Sequence, residues 1–178
     1  LRYMRGYKNV INECIRRNEA GEVSPLAIET SGHGALSENY YLDDGAYLAV
    51  KLLIAAAKAH SEGRTLADLI APLRAPKEAR ELRIKIEGAD DVKAYGTKVL
   101  AAFEQRVRDA GLSIAAPSYE GVRVVFPDGW ALLRISLHDP NMPLNIESNA
   151  EGGADEIERR VKSLLSGFEN LNFSCFSV

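Results

Sequence analysis

Apolar positions change their period along this chain, and the changes outline its elements. Tyr7, Val10, Ile11, Cys14, Ile15 and Asn18 recur at helical spacing, and Gly21 is placed to end that helix. Pro25-Leu26-Ala27-Ile28 reads as a short buried strand ending at Glu29. After a tyrosine-rich turn, Asp43 or Asp44 can cap a helix running to about Ser61. Its Tyr47, Val50, Leu52, Leu53 and Ile54, with several alanines, leave little polar face, so it is expected to be mostly buried. Thr65-Leu66-Ala67-Asp68 has the form of a capping box, with Asp in place of Glu, opening a short helix that stops near Pro72.

Residues 73–79, with Pro72 and Pro76 in or beside them, form the expected linker. Beyond it Leu82, Ile84 and Ile86 alternate with charged residues, as in a strand exposed on one face. Val92, Tyr95, Val99, Ala102, Phe103, Val107 and Ala110 form a helical stripe closed by Gly111. Val122, Val124 and Phe126 alternate before Pro127-Asp128-Gly129, and Trp130 to Ile135 alternates after it, which predicts a hairpin. Met142, Leu144 and Ile146 alternate again, and Ile157, Val161, Leu164, Leu165 and Phe168 mark a last helix ending about Gly167. The fold class expected is α/β followed by α+β. A partial α/β layer (helix-strand-helix) precedes a β-α-β-β-β-α domain with a mainly antiparallel sheet and helices on one face.

Composition narrows the function. The 178 residues are 46% apolar and 26% charged, enough for a core and a charged surface. A net charge of −3, with no Lys/Arg block and no spaced aromatic platform, argues against a nucleic-acid partner. The apolar stretch from Ala46 to Ala59 is broken by Lys51 and Lys58 and is shorter than the roughly 20 residues that span a bilayer, so no membrane partner is expected. Cys14 and Cys175 are far apart and belong to no zinc-like cluster, no signal-peptide pattern opens the chain, and a cytoplasmic location is the expectation. The chain enters a helical pattern almost at once after Leu1-Arg2-Tyr3-Met4, which suggests a piece of a longer protein.

Two loops carry candidate chemistry. In Glu29-Thr30-Ser31-Gly32-His33, an ionised Glu29 can accept from two hydroxyls, Ser31 can donate and accept, and His33 can exchange a proton near neutral pH. On the pentapeptide alone, turn bonds and capping are the commoner use of such residues. In Arg134-Ile135-Ser136-Leu137-His138-Asp139-Pro140, Arg134 brings a planar fork suited to phosphate, and Ser136 and His138 add donors. A turning backbone there could aim N–H groups at the same anion. Asp139 would have to point away from it. An ordinary β-bend with a surface arginine is the competing account.

Together, and in this order, the loops resemble the α-D-phosphohexomutase family of phosphoglucomutases, phosphomannomutases and phosphoglucosamine mutases. Glu29 to His33 resembles the family's sugar-binding loop, usually Glu-Met-Ser-Gly-His in the bispecific enzymes, with Thr30 in the place of Met. Asp43-Asp44-Gly45 is similar to the Asp-Asp-Gly that follows in the family. Glu120 to Val124 and Asp128 to Arg134 look like the family's last domain, and Arg134 to Pro140 like its phosphate loop, commonly Arg-x-Ser-x-Thr-Glu-Pro. His138 stands where Thr is usual and Asp139 where Glu is frequent. The family's phosphoserine loop and its Asp-x-Asp-x-Asp magnesium loop do not occur in this sequence, and Asp43-Asp44 and Asp90-Asp91 read as helix caps.

The resemblance implies that residues 1–72 are the C-terminal part of the family's third domain, 73–79 a linker, and 80–168 its fourth, phosphate-binding domain. Residues 169–178 form a tail with no counterpart. It implies interconversion of hexose 1- and 6-phosphates of glucose or mannose, by way of a phosphoserine and a hexose 1,6-bisphosphate. Mg2+ would be bound outside this chain, and the partners would be the hexose phosphate and N-terminal domains of the same protein. Glu29 and Ser31 would read sugar hydroxyls, and Arg134, Ser136 and His138 the phosphate. His33 would be an acid/base candidate, and Lys8 a further phosphate candidate, or else a solvated helix lysine. The piece alone is expected to be inactive. The alternative is a stand-alone phosphosugar-binding or regulatory module without catalysis.

Overall fold

The structure, a computed structural model, describes residues 1–136 and 139–177. It separates into two compact units, Leu1–Arg74 and Ala75–Val178.

The first unit opens with helix α1 (Tyr7–Glu19) and continues into strands β1 (Leu26–Ile28) and β2 (Gly34–Leu36). Helices α2 (Gly45–Ser61) and α3 (Leu66–Ile70) complete it. The strands pair antiparallel, Leu26 with Leu36 and Ile28 with Gly34. The expected helix-strand-helix layer is thus a helix and a small hairpin followed by two helices. Two three-residue strands are too short for a period to betray the second one, and Gly34-Ala35 carries no β-forming side chain.

Two expectations of burial fail here. Only Ala27 of β1 is buried, and Ile28 is 60% exposed. Helix α2 buries only Ala59, while Val50, Leu52, Leu53 and Ile54 are exposed, Leu53 at 69%. A continuous apolar helix surface states that something favours covering it; it does not say that this chain supplies the cover. Helix ends follow the expected chemistry. Asp44 caps α2 by accepting from Tyr47 N at 3.0 Å, and Thr65 and Asp68 form the reciprocal capping box of α3.

The second unit holds one closed core. Strands β3 (Glu78–Ile86), β4 (Ser113–Ile114), β5 (Gly121–Phe126), β6 (Gly129–Arg134), β7 (Asn141–Ser148) and β8 (Leu171–Asn172) form a sheet in the order β4-β5-β6-β7-β3-β8. Every pairing is antiparallel. Strand β3 takes in Glu78 and Ala79, the last residues of the expected linker. Helices α4 (Val92–Asp109) and α5 (Gly153–Leu164) supply Val99, Phe103, Val107, Ile157 and Val161 to a cluster with Ile84, Val124, Leu133, Met142, Leu144 and Ile146. Those strand residues lie in register on one face, Ile84 beside Met142 and Val124 beside Ala131. Period-two alternation therefore becomes a covered face and an open one. Burying each such side chain contributes on the order of 1.5–3 kcal/mol. Asp91 caps α4 through Ala94 N at 2.9 Å. Strands β4 and β8, two residues each, have no alternation to read.

Candidate functional site: a hairpin turn and a strand-end loop

The turn between β1 and β2 is Glu29-Thr30-Ser31-Gly32-His33. Glu29 N donates to His33 O at 2.9 Å and Gly32 N to Glu29 O at 2.9 Å, which closes it. Gly32 has φ of 94°, a value other residues resist, so the turn depends on glycine there. Both Glu29 carboxylate oxygens are already engaged, Oε1 by Gly6 N at 3.1 Å and Oε2 by Ser31 Oγ at 3.1 Å. Each carboxylate oxygen can still accept a second hydrogen bond, so a ligand hydroxyl would meet a preoriented acceptor. Glu29 is half-buried, and Ser31 and His33 are exposed.

His33 is held on two sides. Its Nδ1 lies 2.7 Å from Asp43 Oδ2, and Asp43 Oδ1 accepts from Gly34 N at 3.2 Å. The Tyr7 ring stacks on the imidazole with centroids 5.0 Å apart and planes 24° from parallel. Asp43 on Nδ1 and the Tyr7 ring on its face together fix the orientation of the imidazole. Asp43 is therefore not the helix cap. Asp44 takes that role, and the N–H groups at the head of α2 hold its carboxyl below the usual carboxylate range, Tyr47 N first. Asp43 reaches His33 because the chain returns through Tyr40 and Tyr41, both left-handed at φ of 54° and 57°. Such residues cost about 1–2 kcal/mol each and cluster where geometry is functional.

Tyr7, the first position of the helical repeat, is 39% exposed and faces His33. The available signal was its place beside Gly6, whose φ of 104° bends the chain into contact with Glu29. Lys8 is exposed, with its Nζ 5.9 Å from the Tyr7 ring centroid.

In the second unit, Arg134 is the last residue of β6 and is half-buried. It pairs with Gly121, where a Cβ would come within 2.1 Å of Leu133 O, so the close approach of β5 requires glycine. Ile135 is seated against Gly96 of α4, where an added Cβ would lie 3.1 Å from its Cγ1. The Arg134 charge is felt on the sheet's open face. Glu81 is held below the usual carboxylate range, first by a hydrogen bond from Asn145, then by Arg83, with a smaller share from Arg134.

Ser136 N donates to Asn141 O at 3.0 Å, and Ser136 Oγ accepts from Asp139 N at 3.2 Å. The N–H groups of Ser136 and Asp139 are therefore engaged within the loop, while those of residues 137 and 138 lie outside the described residues. Arg134 and Ser136 thus lie two residues apart where β6 ends and the loop begins. Asp139 is exposed. His138 lies outside the described residues. Among the described residues, no group of three or more His, Cys, Asp or Glu could hold a metal, and no helix is long and apolar enough to cross a membrane.

Residues 1–75 match the family model described as phosphoglucomutase/phosphomannomutase, alpha/beta/alpha domain III. A phosphoglucomutase of Neisseria gonorrhoeae is 27% identical over 148 residues, which are 82% of this chain and 30% of that protein. A phosphomannomutase/phosphoglucomutase of Pseudomonas aeruginosa is 30% identical over 136 residues, 75% of this chain and 26% of its own. A probable phosphoglucosamine mutase of Methanocella arvoryzae is 27% identical over 162 residues, 89% of this chain and 34% of its own. The chain thus spans about a third of the length of the curated relatives it matches. In fold it is similar to a crystal structure of a phosphoglucomutase/phosphomannomutase family protein from Burkholderia thailandensis. The TM-score is 0.69 at 24% identity, covering 96% of this chain and 34% of that one. Residues 1–75 are thus identified with domain III of the phosphoglucomutase/phosphomannomutase family, and the similarity to mutases of that family runs through most of the chain.

Proposed function

We propose that this chain is the C-terminal portion of a cytoplasmic phosphohexomutase, comprising the end of the third domain and the fourth. The whole enzyme would interconvert hexose 1-phosphate and hexose 6-phosphate of glucose or mannose. A phosphoserine and Mg2+ held elsewhere in that protein would carry the phosphoryl group, with a hexose 1,6-bisphosphate as intermediate. Glu29 and Ser31 would bond ring hydroxyls. His33, oriented by Asp43 and Tyr7, would exchange a proton with the reacting hydroxyl. Arg134 and Ser136 would anchor the phosphate that is not being transferred, with Lys8 a further candidate for phosphate contact.

The observation that carries this reading is the hairpin turn. Its carboxylate, hydroxyl and imidazole are each fixed by an internal partner, at 3.1, 3.1 and 2.7 Å, yet remain at the surface. A turn needing only its own stability has no use for an imidazole gripped by a carboxylate and a tyrosine ring. Preorganised polar groups at a surface turn are what ligand recognition uses.

The chain alone is expected to lack mutase activity, since it contains neither the serine loop nor the magnesium loop of the family. A coupled assay on the purified 178 residues, with glucose 1,6-bisphosphate and Mg2+ supplied, tests this. Turnover within the roughly 1–10³ s⁻¹ of ordinary enzymes would contradict it and require another phosphoryl carrier.

A further inference from the structure

The tail after α5 carries no binding motif, yet it is built into the sheet beside the phosphate-loop candidate. Leu171 is 6% exposed and joins the core, and β8 pairs Leu171 with Ile86 and Asn172 with Lys85. Asn172 Nδ2 donates to both carboxylate oxygens of Glu87, at 3.1 Å each. Glu87 N donates to Asn170 O at 2.9 Å, and Asn170 Nδ2 returns a bond to Glu87 O at 2.8 Å. The far end is tied as well: Ser177 N donates to Glu158, a fully buried carboxylate that pairs with Arg80 at 2.7 Å.

On its other side the same stretch of β3 holds the loop. Ile86 N donates to Pro140 O at 2.8 Å, Lys85 pairs with Asn141, and Asn141 O accepts from Ser136 N at 3.0 Å. A continuous ladder therefore runs from Ser136 through Asn141 and Lys85 to Asn172. The loop's entry is reached by a second path. Asn170 N donates to the Tyr95 hydroxyl at 3.3 Å, and the next residue, Gly96, is the seat of Ile135. Without β8 the end of β3 would be a free edge, and the two residues that clamp the loop's exit would fray with it.

We propose that the tail is a strut of the anion loop, with Glu87 and Asn172 as positioning residues that hold Arg134 and Ser136 in register for phosphate. This rests on the reading of Arg134 and Ser136 as a phosphate anchor. It adds that the affinity of that anchor depends on residues beyond the last helix, none of which touches the anion.

The test uses the 178-residue chain and inorganic phosphate, with amide hydrogen exchange at Ile86 and Ser136 read alongside affinity. Glu87→Ala removes the acceptors of Asn172, whereas Glu87→Gln keeps one. Loss of such a hydrogen bond corresponds to about fivefold in an equilibrium constant. Glu87→Ala is therefore expected to weaken phosphate binding and speed exchange at Ile86 and Ser136 by about that factor. Glu87→Gln should restore most of both. Arg159→Ala, which breaks an exposed pair with Glu156 on α5, should move neither. A wild-type chain that binds no phosphate overturns the anchor reading itself. Wild-type binding that Glu87→Ala leaves intact, at unchanged Ile86 and Ser136 exchange, overturns the strut alone.

Discussion

The two units use similar amounts of apolar sequence to opposite ends. In the second, alternating strands and two striped helices close over Phe103, Val124 and Leu144, each fully buried. In the first, the long apolar helix α2 buries only Ala59. What order the first unit has around its turn is polar: Glu29 on Gly6 and Ser31, His33 on Asp43 and Tyr7. Apolar pattern alone thus measures the wish to be covered, while the covering is a property of what the chain brings with it. A site can nonetheless be organised on a thin core when its own hydrogen bonds over-determine the loop that carries it.

The contrast breaks most easily at the cores. Phe103→Ala should cost the second unit about 3–5 kcal/mol, read as a shift in denaturant midpoint. Leu53→Ala, at a side chain 69% exposed, should stay within about 0.5 kcal/mol. A large loss at Leu53 would show that α2 is already covered in solution, for instance by self-association, and a concentration dependence of the midpoint would identify it.

Next in size is the anion loop. Arg134→Ala should weaken inorganic phosphate binding by about 1.5–3 kcal/mol, as loss of a charged hydrogen bond does. Arg134→Lys should lose less, because it keeps the charge and gives up only the fork. Titration calorimetry on the two variants checks this, and equal, wild-type-like affinity in both would put the anion elsewhere.

Much of this was legible beforehand, and the limits have physical reasons. The alternation of Leu82, Ile84 and Ile86 and of Val122, Val124 and Phe126 reads directly as a one-sided sheet, because the strand period and the burial period coincide. Strands β4 and β8 are one period long, too short for alternation to show. Asp43 reads as a cap because Asp-Asp-Gly before an apolar run fits a helix start at either residue. Only the left-handed turn through Tyr40 and Tyr41 separates the two carboxylates, and nothing in those tyrosines announces it. The tail was opaque because its bonds are to Glu87 and Tyr95, more than seventy residues away.

Acid sharpens the comparison at the helix caps. Asp44 in the first unit and Glu78 in the second both accept from helix-head N–H groups, Tyr47 for the one and Ala154 and Gly152 for the other, and both carboxyls are lowered for that reason. A carboxyl lowered on folding adds stability that is present above its unfolded value, near pH 4, and is lost as pH falls through its folded value. Glu78→Gln should flatten that acid limb for the second unit, and Asp44→Asn for the first. An unchanged limb in both would remove the capping account.

The smallest effect belongs to the strained turn. Tyr40→Gly should relieve a left-handed tyrosine and raise stability by up to about 1 kcal/mol, without altering the nitrogen-15 shifts of His33. Asp43→Asn should do the reverse, leaving stability nearly unchanged while shifting His33 Nδ1.

The central claim is that the hairpin turn reads sugar hydroxyls and the β6 loop reads phosphate, as separable tasks. Glu29→Gln tests it most directly, by comparing affinity for a hexose phosphate with affinity for inorganic phosphate in the same variant. A hexose phosphate should bind about tenfold or more weakly, the loss of a charged hydrogen bond, while inorganic phosphate binds as in the wild type. If both affinities fell together, or the hexose phosphate bound unchanged, Glu29 would not be a reader of the sugar.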